Sequence, residues 1–278
     1  MHVGEWVRKW HLLAPGKTAI IDEGREFSYG ELNQRCNRLA NFLLEKGVNK
    51  GDRVGVLMYN CHEYLELYLA SAKLGAIFIP LNWRTAPPEI TYILRDSGTS
   101  FLFFHEDFLD TTVSIRDSFE GIENYVVLGQ TEVNWAEKYE EIDAYPSTEP
   151  SGIEEPGFED PHIIMYTSGT TGSPKGVVLS NRKTFYNALN ANIFYGLTPD
   201  DILLVHRPLF HSGGLLVNTT PAFYKGATNI YKRRFSPRDC LETIEKYGVT
   251  IFEASATLLN FILRDCDLNR YDLSSLKA

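Results

Sequence analysis

Cysteine is scarce, with only Cys36, Cys61, Cys240 and Cys266 in 278 residues. They lie far apart and form no C-x-x-C pair, which argues against a disulfide framework and a thiolate metal site and leaves four reduced, buried small residues as the expectation. Long apolar runs are also missing. No segment approaches the ~18–20 residues needed to cross a bilayer, and the start, Met1-His2-Val3-Gly4-Glu5-Trp6, has no basic stretch leading into an apolar one. A cytoplasmic location without a membrane span is therefore expected. Positive charge is thin as well: 27 basic against 36 acidic side chains give a net charge of −9, and no Lys/Arg run exceeds Lys232-Arg233-Arg234. That balance disfavours an extended nucleic-acid interface, and the short basic run reads as a solvated turn. Internal repeats and low-complexity tracts are absent. What remains is a composition 44% apolar and 23% charged, ordinary for a globular chain of about two domains or one large one.

Ser28-Tyr29-Gly30-Glu31 is a capping box, followed at helical spacing by Leu32, Cys36, Leu39 and Leu43 up to Gly47. A strand is expected at 53–58, a helix carrying Leu65, Tyr68, Leu69 and Ala72 ahead of Gly75, and a buried strand at 76–80. The order then repeats, with a helix opened by Pro88 and a strand at 101–104. Residues 145–161 hold four prolines among acidic residues and glycines and read as a surface connection. Strands at 163–165 and 177–179 bracket a loop; further strands are expected at 202–205, 228–231 and 249–252, with helices around Leu241–Tyr247 and Leu258–Leu263. Short apolar strands alternating with helices predict a layered α/β fold of mainly parallel sheets covered by helices. The expected division is one βα unit of residues 1–52 plus 197–278, incomplete at its end, and another of 53–196 ending in the loop.

That loop, Tyr166 to Gly176, packs three glycines, five Ser/Thr hydroxyls and Lys175 between two strands. Glycines let backbone N–H groups approach an anion, hydroxyls add donors, and a lysine adds mobile positive charge, so the composition suits polyphosphate. It departs from G-x-x-x-x-G-K-[ST], since Ser173-Pro174 precede Lys175 and a strand follows. On composition alone, a turn-rich hairpin loop explains it equally well.

The full string Tyr166 to Val177, YTSGTTGSPKGV, resembles the signature loop of the adenylate-forming (AMP-binding) superfamily. Tyr29-Gly30-Glu31-Leu32, Gly51-Asp52-Arg53-Val54, Pro80-Leu81-Asn82-Trp83-Arg84 and Pro208-Leu209-Phe210-His211-Ser212-Gly213-Gly214-Leu215 extend the resemblance over essentially the whole chain. They are most similar to the acyl-CoA synthetase (fatty-acid-CoA ligase) branch, in its amino-terminal portion only. Ala254-Ser255-Ala256-Thr257 departs from a pattern that commonly has proline before the threonine.

The resemblance implies a ligase that activates a carboxylic acid, with fatty acids expected, as an acyl adenylate and then a CoA thioester, with ATP, Mg²⁺ and CoA taking part. Thr167, Ser168, Gly169, Thr170, Thr171, Gly172 and Lys175 would hold the phosphates. Lys175 and Thr170 would act in catalysis, and the Thr170 hydroxyl would bear on Mg²⁺. Phe210, His211, Gly213, Gly214 and Leu215 would border the acyl and pantetheine channels. His162 and His206 are read as structural, and Trp83-Arg84 as a strand-end pair. By the same resemblance the Mg²⁺ glutamate, the ribose aspartate, the adenylation lysine and the carboxy-terminal domain belong to segments not in this sequence. The chain thus reads as a truncated piece, inactive alone and inclined to self-associate through an exposed apolar edge. A noncatalytic nucleotide-binding or interaction module derived from such an enzyme is the alternative; an unrelated phosphotransferase is disfavoured because no acidic cluster accompanies the loop.

Overall fold

The computed structural model describes residues 2–167 and 172–277. Its helices are α1 (Val3–Leu13), α2 (Tyr29–Glu45), α3 (His62–Leu74), α4 (Pro87–Ser97), α5 (Leu109–Ser118), α6 (Asn181–Tyr195), α7 (Thr220–Lys225), α8 (Pro237–Tyr247) and α9 (Ala256–Asp265). The strands are β1 (Thr18–Asp22), β2 (Arg25–Ser28), β3 (Arg53–Leu57), β4 (Ile77–Pro80), β5 (Phe101–His105), β6 (Asn124–Leu128), β7 (Glu137–Lys138), β8 (Pro161–Thr167), β9 (Lys175–Ser180), β10 (Ile202–Val205) and β11 (Thr228–Tyr231). A seven-stranded sheet runs β7-β6-β5-β3-β4-β8-β9 and a four-stranded sheet runs β10-β11-β1-β2. Among the described residues only the β8–β9 and β1–β2 pairs are antiparallel. The expected α/β architecture of mainly parallel sheets is what the chain adopts.

Period-two side-chain direction explains the layers. In β5, Phe101 and Phe103 face one core while Leu102 and Phe104 face another, and β3, β4 and β6 alternate in the same way. The inner core also receives Ile20 of β1, Tyr231 of β11 and the apolar faces of α2 and α3, so these helices fill the space between the sheets. The outer face of the seven-stranded sheet packs on α4 and α5 through Ile90, Leu94 and Ile115. That of the four-stranded sheet packs on α8 and α9 through Leu241, Ile244 and Ile262. A strand buried on both faces must be apolar throughout, which is why these strands read as continuous apolar runs.

The Ser28 capping box forms as expected, its Oγ accepting from the Glu31 N–H and Glu31 Oε2 accepting from the Ser28 N–H. Residues 249–252 depart from expectation. Instead of a strand they make one parallel bridge, Ile251 with Leu203. The ladder ends there, and Glu253 pairs with Arg207 and Asn218. The cysteines are all free, but only Cys36 and Cys240 are buried; Cys61 and Cys266 are half-buried. Among the described residues no helix is long and apolar enough to cross a membrane.

Two histidines lie buried with both ring nitrogens unpartnered among the described residues, His162 on β8 and His206 after β10. Burial holds His162 down to about 3, with His2 adding to the effect, and His206 to about 4, with Arg207 adding. A pKa lowered on folding contributes stability above the unfolded value of 6.5, and that contribution is lost as pH falls toward the folded value. Unfolding free energy should therefore decline below about pH 6.5, by roughly 1.4 kcal/mol per pH unit from His162 alone. Urea melts from pH 7 to 4.5 test this, and His162→Leu should make the decline shallower.

Candidate functional site

β8 and β9 pair antiparallel with Thr167 opposite Lys175 and Tyr166 opposite Gly176, so the signature loop springs from the mouth of a hairpin at the sheet edge. Ser168, Gly169, Thr170 and Thr171 lie outside the described residues. Thr167 and Lys175 are exposed, and Gly172 has φ +102°, a left-handed conformation suited to glycine. A side chain at Gly176 would put its Cβ 2.9 Å from Ile164 and 3.1 Å from the Tyr166 ring. Tyr166 donates to Asp96 Oδ2 at 2.6 Å, tying the hairpin mouth to α4. Burial first, and the Asp96 carboxylate second, raise the Tyr166 phenol above its usual range, so it remains a donor.

Phe210 and His211 approach this hairpin from the four-stranded sheet. A cavity of about 270 Å³ is lined by Thr167 and Pro174 on one side and Phe210 and His211 on the other, with Asn82 and Glu89 between. The His211 Nδ1 accepts from the Gly213 N–H at 3.2 Å. Gly213–Thr219 then form a π-helix, a geometry frequent at functional sites. Gly213, Gly214 and Leu215 are buried behind the cavity, with Leu215 in the inner core. Gly214 lies so close to the backbone that a Cβ would stand 2.5 Å from the Pro208 oxygen and 2.7 Å from the Arg207 oxygen. The expected phosphate-loop ends and the Phe210–His211 pair are thus brought together, while the glycines and Leu215 shape the turn that delivers them.

A second cavity, of about 510 Å³, was not foreseen from the sequence. Four arginines line it: Arg84, Arg207, Arg233 and Arg234. Arg84 lies 4.8 Å from the Trp83 ring and Arg233 lies 4.2 Å from the Tyr59 ring. The Lys232–Arg234 segment is a solvated bend, as expected, and it also puts two arginines into a cavity wall. Trp83-Arg84 likewise does more than end a strand. The signal was present as two single arginines and one short basic run, each unremarkable until the fold gathers them. His206 belongs to the same wall, packed between Phe235 and Phe252 at 5.3 and 5.1 Å.

Residues 7–278 match the family model of the AMP-binding enzyme. The chain belongs to the AMP-binding enzyme family. It is 36% identical over its whole length to an indoleacetate–CoA ligase of Aromatoleum aromaticum, spanning 54% of that protein. It is 33% identical over 99% of its length to a feruloyl-CoA synthase of Amycolatopsis, spanning 53% of it. Among solved structures it superimposes on the anthranilate CoA ligase AuaEII in complex with anthranoyl-AMP with a TM-score of 0.91 and 29% identity, covering 99% of this chain and 54% of that one. The N-terminal domain of FACL13 from Mycobacterium tuberculosis, bound to an inhibitor, gives a TM-score of 0.88 and 28% identity, covering 99% of this chain and 68% of that one. The chain spans about half the length of the curated relatives it matches, and those relatives are acyl-CoA ligases.

The glycine contacts yield a direct check. Gly214→Ala should cost about 1–3 kcal/mol of unfolding free energy, because the intruding methyl meets backbone that cannot swing away. Gly16→Ala, whose Cβ would meet nothing within 4 Å, should stay within roughly 0.5 kcal/mol of the parent in the same urea titration.

Proposed function

We propose that the full-length protein represented by this chain condenses a carboxylic acid with ATP to an acyl adenylate and then transfers the acyl group to the thiol of CoA. The observation that carries this reading is the meeting of Thr167 and Pro174 from the hairpin with Phe210 and His211 at one cavity, beside a second cavity walled by arginines. A carboxylate with pKa near ~4–5 is already ionised at neutral pH, so attack on the α-phosphorus needs no general base. It needs alignment and compensation of several negative charges. Exposed Lys175 at the hairpin mouth is placed to follow the departing pyrophosphate, with Thr167 and Gly172 flanking it. Ser168, Gly169, Thr170 and Thr171 complete the phosphate-binding set in this reading, with the Thr170 hydroxyl bearing on Mg²⁺.

The arginine-walled cavity suits the phosphates of CoA. Its residues fit such a group: among the described residues Arg84 and Arg234 have no carboxylate partner, while Arg207 pairs with Glu253 and Arg233 with Asp107. Trp83 adds an aromatic face for a base. Fatty acids are the acyl class we favour, with Phe210, His211, Gly213, Gly214 and Leu215 bordering the acyl path. The names of the relatives span aromatic acids and fatty acids.

In the full-length protein Lys175→Ala should slow adenylate formation roughly 10²-fold while leaving the KM for the acid nearly unchanged, because the cation acts on charge that shifts in the transition state. A continuous pyrophosphate assay measures both quantities, and release at the parent rate refutes the assignment. The 278-residue chain by itself, given ATP, Mg²⁺, CoA and a panel of acids, should show no substrate-dependent turnover. Its CoA affinity should fall as ionic strength rises, since arginine–phosphate contacts near the surface are screened.

A further inference from the structure

We propose that Asn60 is a positioning residue for this site: its side-chain amide fixes both the segment that carries Phe210 and His211 and the Lys232–Arg234 turn against the loop after β3. The proposal rests on the functional reading above for its ligand but not for its geometry. Asn60 is 5% exposed. Its Nδ2 donates to the Arg207 oxygen at 2.9 Å and the Lys232 oxygen at 3.2 Å, and its Oδ1 accepts from the Leu209 N–H at 2.9 Å. Three backbone groups on two loops of the four-stranded sheet thus close on one residue of the loop that follows β3 of the seven-stranded sheet.

The cavity wall is divided along the same line. Arg207, Arg233 and Arg234 arrive from the four-stranded side, while Trp83 and Arg84 follow β4 on the other. Asn60 itself lies in the wall between them. The partners are 147 and 172 residues away in sequence, so chain connectivity does not hold them. A second polar link across this part of the rim, from Arg233 to His105 and Asp107, is exposed and open to solvent screening. Both ends of the amide are used. A carboxylate would keep the acceptor for Leu209 and lose both donors, whereas a methyl would lose all three.

The test uses the 278-residue chain, with CoA as probe and amide hydrogen exchange as a second readout. Both Asn60→Ala and Asn60→Asp should weaken CoA binding about tenfold or more, since each leaves two partly buried carbonyls without donors. In Asn60→Ala the Leu209 amide should exchange about tenfold faster, whereas Asn60→Asp should keep it protected. A residue that only adds stability would raise exchange at Val56 and Phe103 together with Leu209, and under folding conditions would leave the CoA dissociation constant unchanged. CoA affinity within about twofold of the parent in both variants overturns the proposal, as does an unaltered Leu209 amide in Asn60→Ala. If the parent chain binds no CoA, the reading of the cavity as a CoA site fails. Exchange then decides Asn60 alone: loosening confined to 207–211 and 232–234 supports positioning, and a uniform change overturns it.

Discussion

The structure hangs on the burial of α3, whose residues are buried at every position but Glu63. It is walled in by both sheets and by α1 and α2, so His62, Glu66 and Lys73, its buried ionisable residues paired below, need partners from other elements. His62 pairs through Nδ1 with Asp22 at the end of β1, at 2.8 Å. Glu66 accepts from Arg35 of α2 and from the Tyr139 hydroxyl, while Lys73 donates to Asn33 of α2 and to Glu149 in the proline-rich connection. Even α1 is shaped by it, because a side chain on Gly4 would put its Cβ 2.7 Å from the Lys73 stem. These pairings are a specification more than a source of stability: any other packing of α3 would strand a charge in the interior.

Much of this was legible in the sequence, for reasons particular to individual segments. The Ser28 capping box and the runs at 53–57, 77–80 and 101–105 carry local signals strong enough to survive tertiary context. The family string was legible because its residues are contiguous. The β1–β2 hairpin was not read, since its turn rests on Glu23 at φ 46° and Gly24 at φ 82°, a pair weaker as a signal than Asn-Gly. Helix α6 mixes apolar and polar residues around its whole circumference, with Phe194 81% exposed, and so shows no stripe to find. The residues at 249–252 have a strand's composition but make only a bridge, which no local pattern discloses. The arginine-walled cavity was hidden for a further reason. Its charges come from positions 84, 207, 233 and 234, and only topology makes them neighbours.

The site accordingly has two kinds of foundation. The hairpin mouth is local: β8 and β9 fix Thr167 opposite Lys175, and Tyr166 anchors the end to Asp96. The segment from His206 to Leu215 is assembled at long range. Close approach at Gly214, the π-helix that contains it and the Arg207–Glu253 pair hold its shape. Loops at the carboxyl ends of parallel strands commonly carry binding groups, and β3, β10 and β11 all lead toward the cavities from that end.

The placement of β1 between β11 and β2 also sets a timetable for the growing chain. Ile20 must pair with Asn229, across 229 − 20 = 209 residues. At roughly 5–20 residues per second, synthesis of that interval takes about 10–40 s. All strands of the seven-stranded sheet are present once Ser180 has emerged, well before Thr228 is made. During the interval the first hairpin has no parallel partner: Ile20 and Ile21 pair with β2 on one side, and their β11 side stays open. The nascent protein thus carries an unfinished β-edge while the residues between β1 and β11 are made, a window in which a holding chaperone has a defined segment to shield.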